Sequence, residues 1–99
     1  MKLVKDSKVK YVNIMGLDYK IEYVDGLIEN RGLSGQISYR EQLIQIDNNV
    51  ASEERKEITL LHEIIHGLLE EMGYFELTNN EHLINTLAYG LYMAQKSLK

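Results

Sequence analysis

The 99-residue sequence has no cysteine, no proline and no tryptophan, and it has a single phenylalanine. Without cysteine the chain can form no disulfide, no thiolate nucleophile and no cysteine-based metal site. It also lacks a run of about 18 apolar residues, the length that a membrane-spanning helix needs. Residues 1–6 carry charges but no apolar stretch of the kind found in signal peptides. These absences predict a cytoplasmic protein that does not enter the membrane.

The sequence also has fewer basic than acidic residues. Eleven basic residues against fifteen acidic residues give a net charge of −4, the wrong sign for a protein that binds phosphate backbones. Direct binding to nucleic acid is therefore not expected. The hydrophobic fraction of 44% and the charged fraction of 26% are typical of a globular chain. At this length one hydrophobic core is expected, so residues 1–99 are predicted to form a single domain.

The first half of the chain has the short alternating patterns of β-strands. The side chains of residues 9–13 and of residues 19–23 alternate with a period of two, which predicts two strands joined around residues 15–18. Residues 36–47 form either one strand or a hairpin that turns at residues 40–42.

The second half has helical spacing, with helices expected over about residues 52–72 and 80–96. Their predicted apolar stripes are Ile58, Leu61, Ile65, Leu68 and Met72, followed by Ile84, Leu87, Leu91, Ala94 and Leu98. Strands followed by helices predict an α+β fold in which a small antiparallel sheet precedes two main helices.

A metal-binding motif lies inside the first of these helices. The residues His62-Glu63-Ile64-Ile65-His66 have the pattern HExxH. On a helix the two histidines are one turn apart on the same face, so both imidazoles can reach one ion. Glu63 projects about 100° away from His62 and is better placed to deprotonate a water molecule than to bind the ion. The plain alternative is two surface histidines with a glutamate between them.

A catalytic zinc ion needs a third protein ligand and an open fourth position. Glu81 and His82 open the second helix, and their spacing from His66 does not separate them as candidates. Glu81 has a further structural alternative, because residues 78–81 read Thr-Asn-Asn-Glu. In a capping box Glu81 would bond back to Thr78 and could not also bind a metal ion.

The motif His62–His66 followed by Glu81-His82-Leu83-Ile84-Asn85-Thr86-Leu87-Ala88 resembles the ImmA/IrrE-type metallopeptidases, gluzincin-like zinc proteins common in phage and mobile-element contexts. The resemblance covers about residues 32–93. It implies a minimal zincin-like domain in which His62, His66 and Glu81 bind Zn²⁺ and Glu63 is the catalytic general base. Asn85, one turn after Glu81, would support the ligands. Ile84 and Leu87 replace the alanine and phenylalanine usual at these positions.

The resulting functional hypothesis is a zinc metallopeptidase, in which an exposed strand within residues 36–47 binds a protein or peptide substrate as an added β-strand. A separate regulator protein is a further partner that the phage context allows. The alternative is a zinc-stabilised binding module of phage or mobile-element origin that does not catalyse a reaction.

Two features of the sequence allow more than one interpretation. A zinc peptidase often uses a further side chain to stabilise the oxyanion, and the sequence offers six candidates: Tyr39, Arg40, Tyr74, His82, Tyr89 and Tyr92. Gly67 lies in the middle of the first helix, where glycine costs about 1 kcal/mol relative to alanine. Either close approach of another element or simple tolerance accounts for it.

Overall fold

The structure is a computed structural model that describes residues 9–98; the expectation about residues 1–6 lies outside this range. The elements in chain order are β1 (Lys10–Ile14), β2 (Leu17–Val24), α1 (Leu27–Arg31), β3 (Gly35–Ser38), β4 (Leu43–Asp47), α2 (Glu53–Glu71), a 3₁₀ turn (Leu77–Asn79) and α3 (Glu81–Ser97). A four-stranded sheet followed by two main helices confirms the α+β fold class. Within residues 9–98, none of the helices has the length and apolar content needed to cross a membrane.

The sheet has the order β1-β2-β4-β3. β1 and β2 form the expected hairpin, whose two turn residues Met15 and Gly16 both have positive φ. Residues 36–47 belong to a second hairpin, in which β3 and β4 pair antiparallel. The prediction of a wholly antiparallel sheet is wrong, because β2 and β4 are parallel. The α1 connection skips one place in the sheet, and β4 then returns into that place alongside β2.

Helix α2 lies between the sheet and α3, and it is buried on both sides. On the sheet side, the buried strand residues pack against one face of α2; the set is Ile14, Tyr19, Ile44 and Ile46 with Leu60, Ile64 and Leu68. On a second face of α2, about a third of a turn away, Ile58 and Ile65 pack against Ile84, Ala88 and Tyr92 of α3. This arrangement holds α2 in the centre of the domain.

The apolar stripe predicted for the second main helix is only partly correct. Ile84 is fully buried, but Leu87 and Leu91 are 42% and 41% exposed. The face of α3 that meets α2 instead carries Ile84, Ala88 and Tyr92 at intervals of four residues. Met72, the last member of the stripe predicted for α2, is also exposed and forms the C-cap of that helix. Both helices therefore leave part of their apolar surface exposed to solvent.

Two glycines allow the sheet to approach α2 closely. A Cβ atom on Gly67 would lie 2.8 Å from Ile14 Cδ1 and 3.1 Å from Ile37 Cδ1. A Cβ atom on Gly35 would lie 2.8 Å from Thr59 Cγ2. Close approach therefore accounts for Gly67, and the first residues of β3 lie directly against the helix that carries the histidines.

Candidate metal centre

The two histidines of the HExxH motif are held on one face of α2. The helix begins at the N-cap Ser52, whose side chain accepts a hydrogen bond from the Arg55 backbone N–H. One turn separates His62 from His66, and their Nε2 atoms are 3.2 Å apart. Both rings are partly buried, which places the pair at the edge of the core. Because the two Nε2 atoms are this close, both can contact a single position.

Glu81 completes the cluster from the first turn of α3. The segment between the helices turns at Gly73, which has a φ of 85°, and returns the chain to the histidine face. Glu81 Oε1 lies 3.2 Å from His62 Nε2, and Oε2 lies 3.1 Å from His66 Nε2. Within residues 9–98 this is the one group of three or more His, Cys, Asp or Glu side chains whose donor atoms could share a metal ion.

The spacing of these donors suits a tetrahedral zinc ion. Zinc bonds of about 2.0–2.1 Å at tetrahedral angles place neighbouring ligand atoms about 3.3–3.4 Å apart. Here the two Nε2 atoms are 3.2 Å apart, and each lies 3.1–3.2 Å from a different oxygen of the Glu81 carboxylate. With one donor atom per residue, all three lie within 4.8 Å of one another. The donor set of two imidazoles and a carboxylate is also one that catalytic zinc sites use. The residues of this cluster therefore fit Zn²⁺.

The structure shows neither of the two alternatives, a capping box closed by Glu81 or His82 in the place of Glu81 beside the histidine pair. Asn80 is the N-cap of α3 and accepts a hydrogen bond from the Leu83 backbone N–H, so Glu81 is the first helical residue and closes no capping box. His82 is exposed and lies outside the donor cluster. Glu81 is thus the third member that the structure brings to the histidine pair.

Thr78 has a role that the sequence did not indicate. Its hydroxyl donates to the His66 carbonyl oxygen at 3.3 Å, and its oxygen lies 2.9 Å from His66 Nδ1. When the single hydroxyl hydrogen is directed to the carbonyl, Oγ1 is the acceptor for Nδ1–H. This hydrogen bond leaves the lone pair of His66 Nε2 free for a metal ion. No sequence signal distinguishes this threonine from a helix cap.

Glu63 is close to the cluster but does not belong to it. Its side chain is only 6% exposed and borders the cavities on both sides of the histidine pair. Burial, together with the nearby negative charge of Glu81, raises the pKa of the Glu63 carboxyl to about 7. A carboxyl with a pKa near neutrality can both take up and release a proton.

The electrostatics at His62 favour the neutral ring. Burial lowers the pKa of His62, and the neighbouring His66 lowers it further. Glu81 and a hydrogen bond that the ring donates to the Asn85 amide oxygen act in the opposite direction. A neutral imidazole is the form that binds a metal ion. Asn85 lines the cavity next to His62, the position expected of a residue that supports the ligands.

Two cavities flank the cluster along α2. One has a volume of about 300 Å³ and reaches His62 and Glu63, and the other has a volume of about 260 Å³ and reaches Glu63, His66 and Glu81. Among the six oxyanion candidates, Tyr89 lines the first cavity and Tyr39 lines the second. Tyr92 is instead buried against α2, with its hydroxyl 3.2 Å from Glu54 Oε2.

The strand that is expected to bind a substrate is β3. Residues 36–47 contain β3 and β4, but β4 lies between β2 and β3, so only β3 has an open edge. Asp47 N–H donates to Ser34 O, and the alternation of an antiparallel pair then turns the backbone groups of Gly35 and Ile37 toward that edge. Ile37 lines the cavity that contains Glu63 and His66.

Comparisons with protein-family models, with curated proteins and with solved structures found no match to this chain. The resemblance to the ImmA/IrrE-type metallopeptidases therefore stays a prediction that rests on the HExxH motif and on the segment that begins at Glu81.

Proposed function

We propose that this protein is a minimal zinc-dependent metallopeptidase of the ImmA/IrrE type that hydrolyses peptide bonds, with Glu63 as its general base. The observation that carries the proposal is the division of roles within one cluster. His62, His66 and Glu81 converge at 3.1–3.2 Å, while the buried Glu63 borders the same space without joining them. A location in the cytoplasm, as the sequence predicts, is part of the same proposal.

The donor set supports a catalytic site more than a structural one. Structural zinc sites are usually closed by four protein ligands, whereas catalytic sites have three and an open position. The cluster within residues 9–98 contains three. A bound Zn²⁺ would supply Lewis acidity toward the scissile carbonyl and lower the pKa of water.

Glu63 would hold a water molecule at its carboxylate and take a proton from it as the peptide carbonyl is attacked. The same carboxyl would then give the proton to the departing amine. Its pKa of about 7 belongs to the metal-free chain, and the charge of a bound Zn²⁺ would lower it and favour the carboxylate form that accepts the proton. The low exposure of Glu63 keeps bulk water from competing for this proton.

β3 is the element that we propose binds the substrate backbone. Its outer edge is unpaired among the described strands, and Gly35 and Ile37 direct backbone donors and acceptors outward there. A peptide added as a fifth strand would satisfy these groups. It would also run past Glu63, because Ile37 and Glu63 line one cavity.

The test combines zinc content with cleavage of an unfolded protein such as casein. Protein purified without a chelator or a histidine tag should contain about one zinc ion per chain and should cleave the substrate. Glu63→Gln should keep the zinc and lose cleavage, since the amide cannot accept the proton. His66→Ala should lose both. Glu57→Gln, a change of an exposed glutamate on the same helix, is the matched control and should alter neither.

Two results would overturn the proposal. Cleavage that survives in Glu63→Gln would contradict the general-base role. Zinc at one ion per chain without cleavage of any tested peptide would leave the non-catalytic zinc-stabilised binding module as the better description.

A further inference from the structure

The cavity beside His62 extends away from Glu81 along α2. It is walled by Gly32, Leu33, Ser34 and Gly35 on the side of the sheet, by Arg55, Ile58 and Thr59 from α2, and by Asn85 and Tyr89 from α3. A further cavity of about 450 Å³ shares Ser34, Arg55 and Thr59 with it. The two cavities adjoin at these three residues, and together they are called the groove; Arg55 lies where they meet.

Arg55 is the cation of this groove. It lies seven residues before His62, so two helical turns, or about 10 Å along the axis, separate the two positions. Its guanidinium donates a hydrogen bond to the Tyr89 hydroxyl, and its central carbon lies 5.4 Å from the centroid of the Tyr89 ring. Contact with the ring holds the guanidinium over the groove.

The charge of Arg55 is not neutralised by another described residue. Among residues 9–98, none of the ion pairs involves Arg55, whereas the neighbouring Lys56 pairs with Glu53. The adjacent Glu54 carboxylate accepts a hydrogen bond from Tyr92. Tyr89 is a neutral partner, so most of the hydrogen-bonding capacity of the guanidinium stays available to a ligand.

Side chains of opposite charge lie on the two sides of His62. Glu70 and Glu81 line the separate cavity that contains His66, whereas Arg55 lines the groove. A guanidinium presents parallel N–H donors that match the two oxygens of a carboxylate. Although the net charge of the chain is −4, the unpaired Arg55 would attract an anionic group of a ligand to this part of the groove.

We infer that Arg55, positioned by Tyr89, binds a carboxylate of the substrate. This inference rests on the proposed peptidase function and adds the class of peptide that the groove selects. An extended peptide advances about 3.3–3.6 Å per residue, so the carboxylate would lie two or three residues from the bond that is cleaved. An aspartate or glutamate side chain and a free C-terminal carboxylate offer the same chemistry.

The test is the binding of short peptides, followed by NMR of the Arg55 side-chain N–H and of nearby backbone amides. It uses the metal-free full chain, so it does not depend on turnover. The probes are Ac-Ala-Ala-Glu-Ala-Ala-amide, the same peptide with glutamine, and the glutamine peptide with a free C-terminal carboxylate. Since Arg55 is exposed, the glutamate peptide should bind about two- to fivefold more tightly than its glutamine counterpart, the effect of one exposed ion pair.

Variants assign the effect to the side chain. Arg55→Gln should abolish the preference for glutamate, and Arg55→Lys should keep part of it, because the charge remains while the paired donors are lost. Lys10→Gln removes the same charge from exposed β1 at the far edge of the sheet and should leave the preference unchanged. Tighter binding of the free-acid peptide than of its amide would identify the C-terminal carboxylate as a ligand.

Equal binding of the glutamate, glutamine and free-acid peptides, or no binding of any of them at millimolar concentration, would overturn the inference. So would a carboxylate preference that persists in Arg55→Gln. These outcomes are separable from failure of the proposed function. Carboxylate binding without cleavage would contradict only the peptidase, and cleavage without a carboxylate preference would contradict only the role of Arg55.

Discussion

Replacing Thr78 by valine tests whether the Thr78 hydroxyl prepares His66 for the metal ion that we propose. Valine keeps the shape of threonine but removes the hydroxyl that accepts from His66 Nδ1–H and donates to the His66 carbonyl. Thr78 is buried, so water does not easily replace these bonds. In the variant, the His66 ring loses the contact that fixes its orientation and its tautomer.

The expected loss of zinc affinity is about 10–100-fold, the usual effect of removing a hydrogen-bond partner from a metal-binding histidine. This corresponds to about 1.4–2.7 kcal/mol of binding free energy. The metal-free protein should also lose about 1–3 kcal/mol of unfolding free energy, because a buried donor and acceptor are left unpaired. The two losses are measured separately.

Zinc affinity is measured by competition with a chromophoric chelator at fixed pH, and stability by denaturant unfolding without metal. Thr78→Ser retains the hydroxyl and should bind zinc nearly as tightly as the natural chain. Thr86→Val is the matched control, because the Thr86 hydroxyl is exposed and bonds only to carbonyls of its own helix, at His82 and Leu83.

Unchanged zinc affinity in Thr78→Val would refute the argument that this hydroxyl prepares His66. An equal loss in Thr86→Val would also refute it, since the effect would then belong to any threonine near the site. If the metal-free protein is destabilised while zinc affinity stays the same, Thr78 serves folding alone.

Two further predictions concern the core. Burial and the hydrogen bond to Glu71 raise the pKa of the Tyr19 hydroxyl from 10.0 to about 12. The contribution of this hydroxyl to stability is therefore complete below pH 10 and is lost as the pH rises to about 12. The melting temperature of Tyr19→Phe should fall less steeply at alkaline pH than that of the natural chain, and an equally steep fall would contradict this prediction. Ile84→Ala should cost about 2–5 kcal/mol because Ile84 is fully buried, whereas Leu87→Ala, at a half-exposed position, should cost about 1 kcal/mol or less in denaturant unfolding. Equal costs would mean that α3 packs through the stripe first predicted from its sequence.

Local features of the fold could be predicted because their causes lie close together in the sequence. The first main helix was expected over residues 52–72, and it spans Glu53–Glu71 with Ser52 and Met72 as its caps. Apolar spacing, an N-cap serine and a C-terminal glycine are all local signals. For the same reason the placement of His62 and His66 one turn apart could be expected from their spacing alone.

Long-range features could not be predicted, since their causes lie in the packing. The parallel pairing of β2 with β4 depends on where α1 returns the chain. The burial of Ala88 and Tyr92, with Leu87 exposed, depends on the angle at which α3 meets α2. Thr78 acts on a residue twelve positions away. Alanine is small and only weakly hydrophobic, so Ala88 marks the buried face in the sequence pattern less strongly than the neighbouring Leu87 does.

The contact between α2 and α3 has two ends with different physical requirements. At one end Ile84, Ala88 and Tyr92 pack against apolar side chains, and burial alone stabilises them. At the other end, two imidazole nitrogens and a carboxylate lie 3.1–3.2 Å apart. Neutral nitrogens and a carboxylate oxygen all present lone pairs there, so they attract one another only through a shared proton or cation.

At that second end Glu81 is 61% exposed and begins its helix, so the burial of Glu81 itself contributes little to stability. A cation bound there would join the start of α3 to the centre of α2 across the connecting segment. Binding free energy at such a site adds to folding free energy, since the unfolded chain does not hold the three donors together. The same arrangement that would make the centre reactive would therefore also stabilise the junction of the two helices.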